Sequence, residues 1–239
     1  MVNNGDDLVD MMLSALDRKS IVLKNGDVIA LAQKIVSKSE GRLVDLRKVK
    51  AGARAVELAG KVNKDARLVE LILQESNEVL RARKDLLIVE HRLGFVCANA
   101  GVDHSNVEGG EDFVLLLPEN PDASAKAFRQ RLEESSGQQI GVMIIDSHGR
   151  AWREGVVGVA IGLSGLPGTV DQRGRDDLVG RLLRATIIGA ADELAAAAST
   201  VMGQAAEGIP AVHIRGFRHP LREGSLKELL RPKERDEFR

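Results

Sequence analysis

Short apolar runs alternate with longer stretches at helical spacing, and that alternation predicts an α/β (α+β) fold. Two observations support it. "NPDASAKAFRQRLEESSG" (120–137) opens with Pro121 and Asp122 and closes on Gly137, the punctuation of a helix. Directly after it, "QIGVMIID" (139–146) reads as a buried strand. At 239 residues the chain can bury a full core without disulfides, as a single domain over 1–239 or as two closely packed subdomains.

The remaining elements follow the same logic. "DVIALAQ" (27–33) is predicted as a buried strand. "ARLVELILQESNEVLRAR" (66–83) is predicted as a helix, with Leu68, Leu71, Ile72, Val79 and Leu80 near one stripe and Glu75 as a polar intruder. "DLLIVEH" and "GFVCANA" read as strands separated by the turn "RLG", and "DFVLLL" as another. "QIGVMIID" is expected to stop at its carboxylate. The longest predicted helix spans 176–204, with Leu178, Leu182, Ala185, Ile188 and Leu194 facing one way and a core role for that face. The charged, proline-interrupted end, 217–239, is predicted as a peripheral helix with a frayed tail.

Composition removes several classes of function. The net charge of -1 gives no long-range field favouring nucleic acid or anionic lipid, and one tryptophan, five phenylalanines and no tyrosine leave few platforms for stacking bases. Cys97, the only cysteine, lies in an apolar run, which fits a reducing compartment. The acidic N-terminus has no basic leader, and no segment approaches the ~18 apolar residues of a membrane span. A soluble cytoplasmic protein is expected, with no nucleic-acid or membrane partner.

Three polar clusters follow apolar segments. The first is Asp103 to Asn106 in "CANAGVDHSNV"; the second is Asp146 and Ser147 in "IIDSHGRAWREG"; the third is Gln204 and Glu207 in "VMGQAAEGIP". All offer oxygen and none a thiolate, a donor set that suits magnesium or manganese. Each cluster taken alone could equally hydrogen-bond its own backbone. His104 and His148 adjoin candidate metal aspartates, and a supporting role fits them better than ligation. In "AQKIVSKSEGR" (32–42), Lys34 and Lys38 lie four apart beside Ser37, Ser39 and Gly41, a place phosphate would fit, although no P-loop or dinucleotide fingerprint is present. Arg150 and Arg153 flank Trp152, and arginine forks recognise carboxylate or phosphate.

In this order, "GDDL", "GDVIALAQKIVSKSEGR", "EHRLG", "ANAGVDHSNV", "DSHGRAWREG", "DELAAAASTVMGQAAEGIPAV" and "IRG" resemble the gamma-glutamyl ligase family of the deazaflavin coenzyme F-420, over nearly the whole chain. The resemblance implies an uncommon mixed-sheet fold in an intertwined homodimer. It also implies a GTP-dependent acid–amino-acid ligase that joins L-glutamate to a deazaflavin precursor, first through its amino group and then through gamma linkages. Carried over residue by residue, it implies metal ligation of one or two Mg2+ or Mn2+ ions by Asp103, Asp146, Ser147 and Gln204, with K+ as a candidate assisting ion. Nucleotide contacts fall on Asn106, on Ser37 and Lys38, and on the run Met202, Gly203, Gln204, Ala205, Ala206, Glu207, Gly208 and Ile209. Relatives usually carry a further strand before "GDDL"; here "MVNN" stands there, and the expectation is either a truncated start or a nucleotide wall built differently.

The chemistry accounts for the polar clusters. A carboxylate does not accept an amine directly, whereas an acyl phosphate does, and phosphoryl transfer needs positioning and charge neutralisation above all. Lys38 is assigned to the phosphate side, and Arg150 and Arg153 to the acidic acceptor or glutamate. Two other readings stay open: a metal-dependent amide ligase with another acyl acceptor, and a non-catalytic nucleotide-binding dimeric subunit.

Overall fold

A computed structural model describes residues 1–106 and 109–237. The framework is a four-stranded sheet. In chain order the elements that build it are helix α1 (Leu8–Arg18), strand β1 (Val28–Ala32), helix α2 (Gln33–Ser39) and strand β2 (Leu43–Asp45). Then come helices α3 (Ala53–Val62) and α4 (Ala66–Gln74), and strands β3 (Ser76–Arg83), β4 (Leu86–His91), β5 (Val96–Ala98) and β6 (Phe113–Leu115). Helix α5 (Pro121–Ser136), the hairpin β7 (Gly141–Arg150) and β8 (Arg153–Ser164), strands β9 (Val170–Asp171) and β10 (Ile187–Ile188), helix α6 (Ala190–Met202) and strand β11 (Ala211–Ile214) complete the chain.

The main sheet has the order β11-β1-β7-β8; β1 and β7 are parallel and the outer pairs antiparallel, so the sheet is mixed. Both faces are covered, which is why β1 and β7 are unbroken apolar runs rather than alternating ones. One face sends Ile29, Leu31, Val142, Ile144 and Ile161 against Phe128 and Leu132 of α5. The other sends Val28, Ala30, Met143, Ile145 and Ala160 against Ala191, Ala195 and Ala198 of α6. Two glycines of β8 let the helices come this close: a Cβ at Gly162 would lie 2.4 Å from Pro121 Cβ, and one at Gly158 would lie 2.5 Å from Ser199 Cβ. The bulge between the pairs Ile144–Gly162 and Ile145–Ala160 inserts Ile161 and swaps which face the following residues meet. A third core cluster, around Leu46, Val62, Ile72, Leu87 and Val114, joins α3 and α4 to the three-stranded sheet β3-β4-β5 and the pair β2-β6.

Helix α5 matches expectation, with Asn120 Oδ1 accepting from Ala123 N and Gly137 left-handed at its end. Four predicted boundaries are corrected. The helix expected over 66–83 ends at Gln74; the carboxylate of Glu75 is taken by Arg42 and Arg92, and residues 76–83 become β3. A short apolar run does not separate the two periods, and tertiary pairing with β4 decides. The strand ending at Asp146 instead runs on to Arg150, because β8 pairs with it along that length. The helix expected over 176–204 exists only as α6. Upstream, Gly174 and Gly180 adopt φ of +81° and +79°, and the Asp177 carboxylate accepts from the N–H groups of Val179 and Arg181. Turn chemistry therefore wins over the leucine spacing. Leu178 and Leu182, expected in a core, are exposed, as is Val179 between them. The tail has single 3₁₀ turns at Leu226–Glu228 and Lys233–Arg235 in place of a peripheral helix; its positions 238 and 239, like Val107 of the "ANAGVDHSNV" motif, lie outside the described residues.

Candidate active site

Strand β1 ends at Ala32 opposite Ile145, and the chain turns at once into α2, opening a crevice at the carboxyl ends of the parallel pair. Open α/β sheets place ligands in such crevices. A cavity of about 760 Å³ lies here, within the usual range for small-molecule sites. Its wall includes Gln33, Lys34 and Lys38 from α2, Asp146 and Ser147 from β7, Asn106, and the run from Met202 to Pro210 after α6, with Met1, Val2 and Met11 at one side.

The loop carrying Asp103 reaches the crevice through a strained turn. Asn99, Ala100 and Gly101 all have positive φ (53°, 53° and 67°), and Gly101 sits so close beneath Leu117 that a Cβ would lie 2.6 Å from its Cδ1. Two successive non-glycine residues there cost on the order of 1–3 kcal/mol each, a strain that clusters at functional sites. Asp103 is then fixed by reciprocal backbone bonds with Leu115 of β6. Lys34 Nζ lies 2.8 Å from Asp103 Oδ2 and also donates to the Ser105 hydroxyl, while Lys38 Nζ donates to Asn106 O at 2.8 Å. Burial alone would raise the Asp103 carboxyl, but Lys34 and the N–H and hydroxyl of Ser105 outweigh it and hold the group below its ordinary value. Asn106 Nδ2 closes the loop onto Ala205 O at 3.4 Å.

On the opposite wall, Asp146 and Ser147 are successive strand residues and leave β7 on opposite sides. Asp146 Oδ2 lies 3.0 Å from His148 Nε2, and His148 rests tilted on Phe95, whose other partner is the stacked ring of His91. Ser147 Oγ donates to Gln204 Oε1 at 2.8 Å, and Gln204 Nε2 donates to Ser199 Oγ at the same distance. Helix α6 stops at Gly203 with φ +75°, and a Cβ there would overlap the Glu207 carboxyl. Glu207 Oε2 accepts from Ala205 N, and these backbone bonds keep its carboxyl below the usual value.

The structure thus gathers Lys38, Asn106, Asp146, Ser147, Gln204 and the 202–209 run around one cavity, with Asp103 tied to it through Lys34. Other predicted residues fall elsewhere. Ser37 is fully buried, giving its hydroxyl to Gln33, and it is Gln33 that meets the cavity. Arg150 and Arg153 form the last pair of the β7–β8 hairpin, Arg150 donating to Glu154 O, so both stand at its tip about 13 Å along the strand from Asp146. The segment expected as a phosphate-side loop is the helix α2, which puts Lys34 and Lys38 on one side, one turn apart. Sequence reasoning missed Ser199; a lone serine in an alanine-rich helix, five residues before Gln204, was the available signal.

Of the predicted ligands, the Asp146 carboxylate, the Ser147 hydroxyl and the Gln204 amide carbonyl line the cavity, and the Asp103 carboxylate stands behind Lys34. Among the described residues no three His, Cys, Asp or Glu side chains come together. One or two carboxylates, completed by water and by a substrate's phosphates, is the usual arrangement for magnesium, so the set fits a hard divalent ion whose shell a nucleotide can complete.

Comparison with known proteins decides the family. The description F420-0:Gamma-glutamyl ligase applies to a family whose profile matches residues 1–216. The chain belongs to that family. A relative named Coenzyme F420:L-glutamate ligase, from Methanothermobacter thermautotrophicus, is 47% identical over all of this chain and 95% of its own length. Proteins of the same name from Methanopyrus kandleri (47% identical, all of this chain, 93% of its own) and Methanocaldococcus jannaschii (46%, 91% and 86%) agree. This gamma-glutamyl ligase family member is therefore a ligase.

Proposed function

We propose that this protein joins L-glutamate to a deazaflavin coenzyme F-420 precursor through an amide bond, using GTP and Mg2+ or Mn2+, and then extends the product through gamma linkages. The supporting observation is the crevice where the pairing of β1 with β7 ends, at which ammonium groups from α2 face oxygen donors from β7 and the segment after α6. In the first step a carboxylate oxygen of the precursor attacks the γ-phosphorus, the bond to the β–γ bridging oxygen breaks, and GDP leaves. In the second, the glutamate amine attacks the acyl carbon, inorganic phosphate departs, and the amine proton passes to solvent. Asp103, Asp146, Ser147 and Gln204 would hold a divalent ion, which would supply charge neutralisation at the phosphates. Lys38 holds the phosphate chain and Asn106 the nucleotide. The homodimer is part of this reading, supported by the apolar side chains left exposed between β9 and β10.

Mass spectrometry of a reaction containing precursor, L-glutamate, Mn2+ and either GTP or ATP tests the proposal. Species heavier by one and then more glutamyl residues are expected with GTP, with GDP and phosphate formed in step. Nucleotide bound but never consumed would leave the non-catalytic subunit as the surviving reading.

A further inference from the structure

Gln204 lies beyond the end of α6 and is exposed, so the helix backbone does not fix its amide. Its two ends are chemically unlike: the carbonyl oxygen can face a cation, and the NH2 cannot. In the structure the oxygen accepts from Ser147 beside Asp146, and the nitrogen is tied back 2.8 Å to Ser199 Oγ. Ser199 is itself nearly inaccessible, and its position is set by the backbone of β8: Gly158 lies so close that a Cβ would come within 2.5 Å of Ser199 Cβ and 2.6 Å of Ala195 O. The carbonyl of Ser199 also accepts the N–H of Gly203, the last helical bond of α6, so Ser199 meets the departing chain through both its backbone and its side chain.

We infer that Ser199 is a positioning residue for the metal centre, holding the Gln204 amide nitrogen so that its oxygen is presented at the Ser147 side of the crevice. The inference rests on the metal reading given above. Loss of the tether lets the amide turn and offer its NH2, whereas a glutamate at 204 has an oxygen on either end and needs no orienting partner.

The test is Mn2+ binding in the absence of nucleotide, followed by electron paramagnetic resonance, for wild type, Ser199→Ala, Gln204→Glu and the double variant. Ser199→Ala is expected to weaken Mn2+ about 10-fold, as removal of a group supporting a metal ligand commonly does. In the Gln204→Glu background the same change should have no effect on affinity. Equal Mn2+ affinity for wild type and Ser199→Ala would overturn the inference and leave the metal reading standing. So would a 10-fold loss that persists with glutamate at 204, which would mark Ser199 as a packing residue only. Wild type that fails to bind Mn2+ would overturn both.

Discussion

Glu75 shows how one side chain joins distant parts of this chain. Its carboxylate takes Arg42 Nη2 at 2.9 Å and Arg92 Nε at 2.8 Å, and the two arginines continue to the carbonyls of Leu117 and Glu119. Burial by itself would raise the group, but His91, Arg92 and Arg42 together draw it down to about 2 from 4.5. A folded value below the unfolded one gives stabilisation that is complete above pH 4.5 and disappears as the pH falls to about 2. Glu75→Gln should therefore lower stability at pH 7 by about 3 kcal/mol, and the gap to wild type should close across that acid window in urea unfolding curves. A gap of constant size would mean that packing, and not charge, accounts for the loss. At the same scale, the aspartates and Gln204 of the crevice were visible in the sequence as residue types, whereas Ser199 and the Lys34–Asp103 pair were not, because each depends on a neighbour 5 to 69 positions away.

At the scale of elements, β8 governs how closely the two helices approach the sheet. Gly162→Ala places a methyl group 2.4 Å from Pro121 Cβ, and the first turn of α5 must move; a loss of about 1–3 kcal/mol and several degrees in Tm is expected by calorimetry. Gly60, inside α3 with nothing within 4 Å, is the contrast: Gly60→Ala should stabilise by about 0.5–1 kcal/mol. Elements with strong local signals were legible in the sequence, as α5 was from its proline, acidic first turn and terminal glycine. The β3 strand was not, since 76–83 carries apolar residues compatible with either period until β4 is beside it. The overlong helix prediction failed for a different reason. Its leucines suggested a stripe, but glycine and aspartate between them already encoded turns.

For the molecule as a whole, the stretch from β9 into β10 leaves Leu178, Val179, Leu182 and Ile187 exposed, Leu178 entirely so. With the homodimer proposed above, these side chains are covered by the second copy. A Leu178→Glu, Leu182→Glu variant should then elute at the monomer mass in light-scattering chromatography with an unchanged circular dichroism spectrum, while wild type elutes as a dimer; a monomeric wild type would remove the dimer from the proposal. None of the described helices is long and apolar enough to cross a membrane. The residue behind the Asp146 wall also has a use at this scale. Cys97 is buried in β5, and burial, with the Asp146 charge adding to it, pushes its thiol up to about 12. At neutral pH only about one molecule in 10⁵ carries the nucleophilic sulfur anion. Alkylating reagents will thus ignore the native protein and count the moments when the small sheet comes apart, which turns the chain's sole thiol into a built-in gauge of breathing beside the reaction crevice.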